Sequence, residues 1–365
     1  MNGLIAHEWI ERFGGAEKVL DAFVDLFPRA DVFCLWNDAP ERYTVEPRES
    51  ALARTPLRGR KALAMPAMSP VWRNLHNHGY DWLLVSSHLF AHHADFAGLA
   101  PERKFVYAHT PARYLWEPEL DARGSSPAVR AFAPYFRALD ARAARDHRNV
   151  AANSAFVRER IRRTWNIDAR VIHPPVDVAR LQGTTDWRER LVGGEADRFA
   201  TLPGTYLLGA SRFVPYKALD RVIDAGVASG LPVVIAGSGP DEARLRAHAE
   251  ASGAEVRFII EPSDSMIAAL MQHAIAYVFP PVEDFGIMPV EAMALGTPVV
   301  VNAVGGASES LVDGHTGVTV PDFSSATLAH AVAATGSMNP DICRARAREF
   351  STASFQGEIR SWMSL

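Results

Sequence analysis

Short apolar runs alternate with helical patterns along the whole chain, and this alternation constrains the fold more than any other feature. The runs predicted to be strands are residues 4–6, 32–35, 82–85, 105–107, 150–152 and 171–172, then 206–208, 233–236, 256–260, 276–279 and 299–301. Strands separated by helices form parallel sheets that are covered on both faces. Two such sets in one chain of 365 residues predict an α/β fold with two doubly wound, Rossmann-like domains.

A proline pair marks the expected join between the two sets. Pro174 and Pro175 can continue neither a strand ladder nor a helix. We therefore expect residues 1–177 to form the first domain and residues 178–350 the second. The remaining residues, 351–365, carry apolar side chains at helical spacing and are expected to form a separate terminal helix.

Composition excludes several classes of protein. The net charge is −4, so the overall charge gives no reason to expect a nucleic-acid partner. The two cysteines, Cys34 and Cys343, do not make a disulfide framework, which favours a cytoplasmic location. No apolar stretch reaches the roughly 20 residues that a membrane-spanning helix needs, and the sequence shows no secretory signal pattern.

Two carboxylates separated by seven residues follow the apolar run at 276–279. Glu283 is expected at the carboxyl end of a strand, and Glu291 lies in a helical run that stops at Gly296. Backbone N–H groups at the start of that helix would attract a phosphate. The pattern suits a nucleotide sugar, whose diphosphate meets the helix start while the carboxylates accept hydrogen bonds from ribose and sugar hydroxyls.

Two cations share the loop after the first strand of the second set. The 38 basic residues include only four lysines, so a lysine at this junction stands out. Arg212 and Lys217 are suited to holding a diphosphate and neutralising its charge as it departs. The alternative is a solvated pair of surface cations.

Two loops of the first set carry further candidates. Gly14 and Gly15 lie at a strand–helix junction, where glycine lets backbone approach a ligand, although a tight turn explains them equally. His109 follows an apolar run and precedes Thr-Pro, which suits either a sugar site or a histidine satisfied by packing. The missing GxGxxG pattern argues against a nicotinamide oxidoreductase.

Other polar stretches are less informative. Residues 37–75 are expected to be irregular, as a substrate loop or a solvated connection. His92, His93 and Asp95 do not make a convincing metal-ligand spacing, and no DxD-like acidic pair stands at a strand end. The sequence therefore predicts no metal and no cofactor in the site.

Taken in order, these stretches resemble the retaining GT-B glycosyltransferases of family 4. The matching pieces are Gly14-Gly-Ala-Glu17, His109-Thr-Pro, Asn153-Ser154, Pro174-Pro-Val-Asp177, residues 211–217, 236–240 and 283–291, and Gly296-Thr-Pro-Val-Val300. The run that begins at His109 is most similar to bacterial mannosyltransferases that use GDP-mannose. UDP-sugar enzymes of the same family share similar stretches and remain an alternative.

The resemblance implies a GT-B fold, with two Rossmann-like domains facing a central crevice and the last helix crossing back to the first domain. It also implies roles. Donor-binding residues would be Gly14, Gly15, Arg212, Lys217, Glu283, Asp284, Phe285, Gly286 and Glu291, and catalytic residues would be His109, Arg212, Lys217 and Glu283. Sugar, with mannose favoured, would pass from a nucleotide diphosphate to a hydroxyl acceptor with retained anomeric configuration. The two glutamates would then not act as the acid and nucleophile of a glycoside hydrolase.

Three alternatives remain beside this reading. One is an inactive nucleotide-sugar-binding partner protein, and another is a phosphorylase with a pyridoxal lysine. The third alternative concerns where the protein acts. Arginines recur at residues 137, 142, 145 and 148 and again at 158, 160, 162 and 163. They indicate either a peripheral membrane surface for a lipid-linked acceptor or a solvated helix face.

Overall fold

The structure, a computed structural model, describes residues 2–118 and 127–364, with side chains from residue 132 onward in the helix that begins at Pro127. It divides into two compact units. One comprises Met1–Pro175 together with Phe355–Leu365, and the other comprises Val176–Ser354. The sequence placed the corresponding bounds at residues 177 and 350.

The first domain contains a parallel sheet. Its strands are β1 (Gly3–His7), β2 (Asp31–Cys34), β3 (Arg48–Glu49), β4 (Trp82–Ser87), β5 (Lys104–Ala108), β6 (Asn149–Ala152) and β7 (Arg170–Val171), and its helices are α1 (Gly15–Leu26), α2 (Lys61–Arg73), α3 (Arg113–Trp116), α4 (Pro127–Ala144) and α5 (Ala155–Trp165). The strand order is β3-β2-β1-β4-β5-β6-β7, and all neighbours run parallel.

The second domain repeats this design. Its strands are β8 (Leu207–Ala210), β9 (Val233–Gly237), β10 (Val256–Ile260), β11 (Ala276–Phe279), β12 (Val299–Asn302) and β13 (Gly317–Val320), and its helices are α6 (Val178–Gln182), α7 (Glu195–Ala200), α8 (Asp220–Ser229), α9 (Glu242–Ser252), α10 (Asp264–His273), α11 (Ile287–Ala294), α12 (Ser325–Thr335) and α13 (Pro340–Arg348). The order is β10-β9-β8-β11-β12-β13, again parallel throughout.

Each sheet buries both of its faces, which is why its strands are apolar runs rather than alternating ones. In β1, Leu4 and Ala6 pack into one cluster while Ile5 packs into another on the opposite face. In β8, Leu208 faces one cluster and Leu207 the other. The prediction of two doubly wound α/β domains is confirmed.

The last helix, α14 (Thr352–Met363), packs its apolar side chains in the first domain. Phe355 lies with its ring centroid 5.5 Å from that of Phe23, and Trp362 lies 5.3 Å from Phe105. Ile359 is fully buried in the same cluster. The spacing of these three apolar residues thus corresponds to one buried helix face.

Two strands, β3 and β13, were missed, and so was the helix α2. β3 has only two residues, and β13 lies at the end of its sheet, so neither gives a strong apolar run. The expectation that residues 37–75 are irregular is wrong for 61–73, which form α2. Pro66 and Pro70 lie inside that helix, yet Met68 and Trp72 are fully buried on it. Tertiary burial outweighs the local cost of proline here.

Among the described residues, no helix is both long enough and apolar enough to cross a bilayer.

Candidate active site

The strand order of the second sheet determines where its loops gather. β8 lies beside β11, with β9 and β10 on one side and β12 and β13 on the other. The chain therefore leaves β8 and β11 in opposite directions, and such a switch point leaves an opening at the carboxyl edge of the sheet. Arg212 and Lys217 lie in the loop after β8, and Glu283 lies in the loop after β11.

Lys217 and Glu283 meet at this switch point. The Lys217 Nζ donates a hydrogen bond of 2.6 Å to the Glu283 Oε1. Their side chains keep 15% and 17% of their exposure, so the pair is sheltered but reachable from solvent. The ammonium also lies 5.9 Å from the centre of the Phe279 ring. The carboxylate thus holds a cation in a fixed place beside the opening. The distance between the nitrogen and the oxygen is shorter than in a hydrogen bond between neutral groups.

Arg212 is placed by its own loop. Its Nη2 donates to the Tyr216 hydroxyl at 3.0 Å. Tyr216 in turn lies beside the Lys217 ammonium, 5.2 Å from ring centre to Nζ. The two cations that the sequence grouped together are therefore connected through one tyrosine.

Glu291 lies on α11, on the same side of the sheet as Glu283. Burial raises the pKa of the Tyr277 hydroxyl well above its ordinary value, and the negative charges of Glu291 and Glu283 raise it further. This coupling brings both carboxylates close to one buried phenol. The Tyr277 hydroxyl donates to the Ala210 carbonyl at 2.8 Å, which ties β11 to the end of β8.

The loop between the two glutamates offers backbone rather than side chains. Phe285 is buried and packs its ring 5.5 Å from that of Phe350, so its side chain belongs to the core. Gly286 has φ of 90° and precedes the first residue of α11. A Cβ there would lie 3.1 Å from the Phe279 ring, so glycine suits this position for both conformation and space.

Four glycines that shape these loops were not assigned to the site. Gly306 donates its N–H to the Glu283 carbonyl at 2.8 Å, and a Cβ on it would lie 2.0 Å from the Asp284 carbonyl oxygen. Its neighbour Gly305 would also crowd Glu283. The sequence signal was available, since this glycine pair directly follows β12 at the same sheet edge.

Gly237 and Gly239 support the other loop. Both have positive φ, 139° and 150°, and a Cβ on Gly237 would lie 1.9 Å from the Ser211 carbonyl oxygen. Phe213 donates its N–H to the Ser238 carbonyl at 2.8 Å. The turn after β9 thus packs directly on the segment that carries Arg212.

In the first sheet, the switch point lies between β1 and β4. A row of buried polar side chains, His7, Ser86 and His109, lies at the carboxyl ends of these strands and of β5. The Ser86 Oγ lies 2.8 Å from the His109 Nε2 and 3.0 Å from the His7 Nδ1. Burial lowers the pKa of His7 well below its ordinary value, so this imidazole is neutral. The His7 Nε2 is buried with no hydrogen-bond partner among the described residues.

The direction of proton donation along this row depends on the tautomers of the two histidines. In one arrangement, the His7 Nδ1 donates to Ser86, and the Ser86 hydroxyl donates to the His109 Nε2. His109 keeps 9% of its exposure, so the contact with Ser86 positions a largely buried ring.

Glu8 was not predicted as a site residue, and it organises the loop after β4. Its Oε1 accepts backbone N–H groups from Leu89 at 2.8 Å and from Ala91 at 2.9 Å. The Ser87 hydroxyl donates to the same oxygen at 3.2 Å. Burial raises the pKa of the fully buried Glu8 carboxyl to about 7, and the backbone donors oppose that rise. A glutamate directly after a strand was a signal that could have been followed.

Gly14 and Gly15 begin α1 and are exposed. Gly14 is extended, with φ of 171°, so its conformation does not require glycine. A Cβ there would lie 1.9 Å from the Glu17 Oε2, so the end of that side chain would have to move. The Glu17 Oε1 accepts the Glu11 N–H at 3.2 Å, and burial raises the pKa of this carboxyl. Gly14 thus leaves room for a folded-back carboxylate at the helix start.

The arginines of α5 and its surroundings are largely paired. Arg160 is only 1% exposed; its Nη1 donates to the Thr110 Oγ1 at 2.6 Å and its Nη2 lies 2.6 Å from the Glu117 Oε2. Arg163 also reaches Glu117, at 2.9 Å. Arg160 thus fixes the segment after His109 and is not part of a solvated helix face.

Two family models match the chain, one for each domain. Residues 13–180 match the model described as Glycosyltransferase Family 4, and residues 200–349 match the one described as Glycosyl transferases group 1. The boundary between the two matches falls where the second compact unit begins its sheet.

Curated relatives match over part of their length. The phosphatidyl-myo-inositol mannosyltransferase of Mycobacterium leprae is 37% identical over 139 residues, which cover 36% of this chain and 36% of the relative. The D-rhamnosyltransferase WbpZ of Pseudomonas aeruginosa is 35% identical over 151 residues, covering 40% of this chain and 37% of the relative. The match therefore spans less than two fifths of either relative.

A solved structure matches over the whole chain. Anabaena Alr3699/HepE, determined in complex with UDP, has a TM-score of 0.75 and 18% identity, with 100% of both chains covered. At this identity the likeness establishes fold alone. This likeness, the two parallel sheets of this chain and the two matched models together identify its fold as GT-B. The first domain is similar to Glycosyltransferase Family 4 and the second to the Glycosyl transferases group 1.

Proposed function

We propose that this chain is a retaining hexosyltransferase, which moves a sugar from a nucleotide-diphosphate sugar to a hydroxyl acceptor. The observation that carries the proposal is the Lys217–Glu283 pair at the switch point of the second sheet. A fixed, reachable cation at the carboxyl edge of a doubly wound sheet suits a diphosphate. The names of the matched models and of the curated relatives support the same class of reaction.

In this proposal, different residues of the second domain bind different parts of the donor. Lys217 and Arg212 bind the diphosphate, and Glu283 holds sugar hydroxyls while it keeps Lys217 in place. Glu291 accepts hydrogen bonds from the ribose hydroxyls. The backbone of Asp284, Phe285 and Gly286 supports phosphate and sugar at the start of α11.

The first domain contributes His109 and the glycine pair in this proposal. His109 contacts the donor sugar near its anomeric carbon, with its ring positioned by the contact with Ser86. Gly14 and Gly15 let the backbone at the start of α1 approach a phosphate or the acceptor. The acceptor is a hydroxyl, for which a lipid-linked glycan is one candidate, and the product belongs to polysaccharide, glycolipid or glycoside synthesis in the cytoplasm, with a peripheral membrane contact as part of the proposal.

The proposed reaction proceeds on one face of the sugar. The bond from the anomeric carbon to the diphosphate oxygen breaks, and the bond to the acceptor oxygen forms on the same face. The acceptor proton passes to the departing phosphate oxygen. Lys217 and Arg212 stabilise the charge that develops on that phosphate, so neither a protein nucleophile nor a metal ion is needed at this step.

GDP-mannose is the favoured donor, because the run that begins at His109 resembles mannosyltransferases and one curated relative is named a mannosyltransferase. A UDP-sugar, with glucose or N-acetylglucosamine, is the second candidate, favoured by the UDP in the structure of HepE. An inactive binding protein is disfavoured because Arg212, Lys217 and both glutamates are present together.

The test measures donor binding and donor turnover on the purified chain. Thermal stabilisation and slow release of the nucleoside diphosphate are followed with GDP-mannose, UDP-glucose, UDP-N-acetylglucosamine and the free nucleotides. Stabilisation by one nucleotide family with release of its diphosphate supports a transferase and identifies its donor. Stabilisation without any release, even with hydroxyl acceptors added, would favour the binding protein. The anomeric proton of the product, read by NMR, tests retention.

A further inference from the structure

Three side chains that can ligate a metal converge inside the first domain. The sequence set His92 and His93 beside Asp95, which gave no useful spacing. The structure instead brings them to Asp140, which α4 supplies. The His92 Nε2 lies 3.3 Å from the Asp140 Oδ1, and the His93 Nε2 lies 4.0 Å from the same oxygen.

The inward-facing atoms of this cluster lack hydrogen-bond partners. The Nε2 atoms of His92 and His93 and the Oδ1 of Asp140 are all buried and unsatisfied within the described residues. All three side chains have no exposure. Native proteins rarely leave one such atom unpaired, because burial without a partner costs free energy. Three unpaired ligand atoms that face each other indicate a missing occupant.

The outward-facing atoms, by contrast, are held. The Asp140 Oδ2 accepts the indole N–H groups of Trp116 at 2.8 Å and Trp165 at 2.7 Å. The His93 Nδ1 lies 2.8 Å from the Ser69 hydroxyl, and the His92 Nδ1 lies 3.5 Å from the Ser87 hydroxyl. Metal-binding histidines are usually oriented by a hydrogen bond to their second ring nitrogen, and ligating carboxylates are likewise held.

A fourth candidate ligand, His147, lies beside this cluster. Its Nε2 is buried without a hydrogen-bond partner among the described residues, and its ring centroid lies 5.7 Å from that of His92. His147 and His93 both line a cavity of about 340 Å³, whose other lining residues include Lys104 and Asp146. The cavity gives an ion a way in, and it can supply water as a ligand.

We propose that His92, His93 and Asp140 bind a divalent metal ion, with Zn²⁺ as the preferred ion and His147 or water as the fourth ligand. Zinc takes imidazole nitrogen and carboxylate oxygen at about 2.0–2.2 Å, which sets tetrahedral ligand atoms about 3.3–3.5 Å apart. The 3.3 Å between the His92 Nε2 and the Asp140 Oδ1 already agrees with this spacing. The 4.0 Å between the His93 Nε2 and the same oxygen shortens as the ion binds. The ion ties the turn after β4 to α4 and has a structural role.

Metal content of the full-length chain, freed of any affinity tag, tests the proposal. Growth with added zinc, gel filtration and elemental analysis should give about one ion per chain in the unaltered protein. Asp140→Asn and His93→Gln should each lower that content at least about fivefold. The matched control is the double variant His76→Ala/His78→Ala, which removes an exposed histidine pair and should leave the content unchanged.

Two further measurements keep the proposal falsifiable if a variant fails to fold. X-ray absorption on the unaltered protein should show only nitrogen and oxygen neighbours at about 2.0–2.2 Å. A sulfur neighbour would assign the ion to Cys34 or Cys343 and overturn the proposal. So would a content below about 0.1 ion per chain after refolding with excess Zn²⁺ or Co²⁺. Unchanged content in both folded variants, or its loss in the His76/His78 control, would also overturn it and leave the cluster as a metal-free polar contact.

Discussion

The two switch points of this molecule share a topology and differ in their electrostatics. Each lies at the carboxyl edge of a parallel sheet, between the first strand of its domain and the strand that starts the other half. In the second domain, Lys217 and Glu283 are charged partners that solvent still reaches. In the first, His7, Glu8 and Ser86 are fully buried; His7 is hydrogen-bonded to Ser86, and Glu8 accepts backbone N–H groups from the turn after β4.

The difference separates groups that meet a ligand from groups that hold geometry. A charge that must neutralise a departing phosphate has to remain accessible, and a partner carboxylate keeps it in place at modest cost. A buried polar network instead fixes the conformation of loops and side chains, because its hydrogen bonds replace those that its members would make with water. Substitutions in the second domain should therefore act on turnover, and those in the first on stability and its pH dependence.

The largest effect is expected for Lys217→Ala. If Lys217 neutralises the departing phosphate as proposed, its removal should lower kcat/KM by about 10²–10³-fold, the usual result of deleting one electrostatic group from a transition state. The thermal unfolding temperature should change little, because the pair retains part of its exposure. Steady-state transfer kinetics and a melting curve measure both.

Arg246→Ala is the matched control for charge. Arg246 is a surface cation paired with Glu242 on α9, and its loss should leave kcat/KM within about twofold. If Lys217→Ala retained near-normal turnover, the cationic switch point would not be the catalytic one, and the contrast between the two regions would fail.

The second effect concerns pH and uses Glu8→Gln. Burial raises the pKa of Glu8 from its ordinary 4.5 to about 7, so the folded protein holds this proton more tightly than the unfolded one. Stability from this group is therefore present at low pH and falls as pH rises from about 4.5 to about 7, by at most about 3 kcal/mol. Glutamine keeps an oxygen for Leu89 and Ala91 and removes the titration.

The readout is the difference in unfolding free energy between the unaltered protein and Glu8→Gln, measured from pH 4.5 to 8. As the pH rises to about 7, the unaltered protein should lose unfolding free energy relative to Glu8→Gln, and above that pH the difference should remain constant. Using the difference cancels the buried histidines, whose lowered pKa values act in the opposite direction. A flat difference across the range would mean that Glu8 is charged throughout and that the buried network is not neutral.

Glu291→Ala comes third. The variant should lose most of its transfer activity, about 10–100-fold in kcat/KM, because hydrogen bonds from two ribose hydroxyls to a charged group are lost. The loss should appear mainly as weaker donor binding, with KM raised more than kcat is lowered. Its measurement needs donor titrations of both proteins under the same conditions. An unchanged KM for the donor would remove Glu291 from the ribose.

The contrast between the regions also explains what the sequence could predict. Lys217, Glu283 and Glu291 lie in loops next to strong strand patterns, so the doubly wound fold alone assigns them to one edge. The two doubly wound domains and the apolar face of α14 follow from the same apolar periodicity.

Long-range partners were beyond reach, because they depend on packing between distant segments. Nothing in the sequence near Glu8 shows that its carboxylate receives N–H groups from residues 88–91. Asp140 is likewise far in sequence from His92, and a helix had to bring it there. α2 was missed because burial of Trp72 offsets its two prolines.

The smallest expected effect is that of a chelator during a short assay. If Lys217 and Arg212 neutralise the phosphate, the chemical step needs no divalent ion, and the initial rate in excess EDTA should equal the rate with Mg²⁺. An ion held by His92, His93 and Asp140 would not alter this result, because those ligands have no exposure and release it slowly relative to turnover. Activity that vanished on mixing with EDTA and returned at once with Mg²⁺ would place a metal on the diphosphate. The accessible switch point would then act by metal binding, and its two carboxylates rather than its cations would be the essential groups.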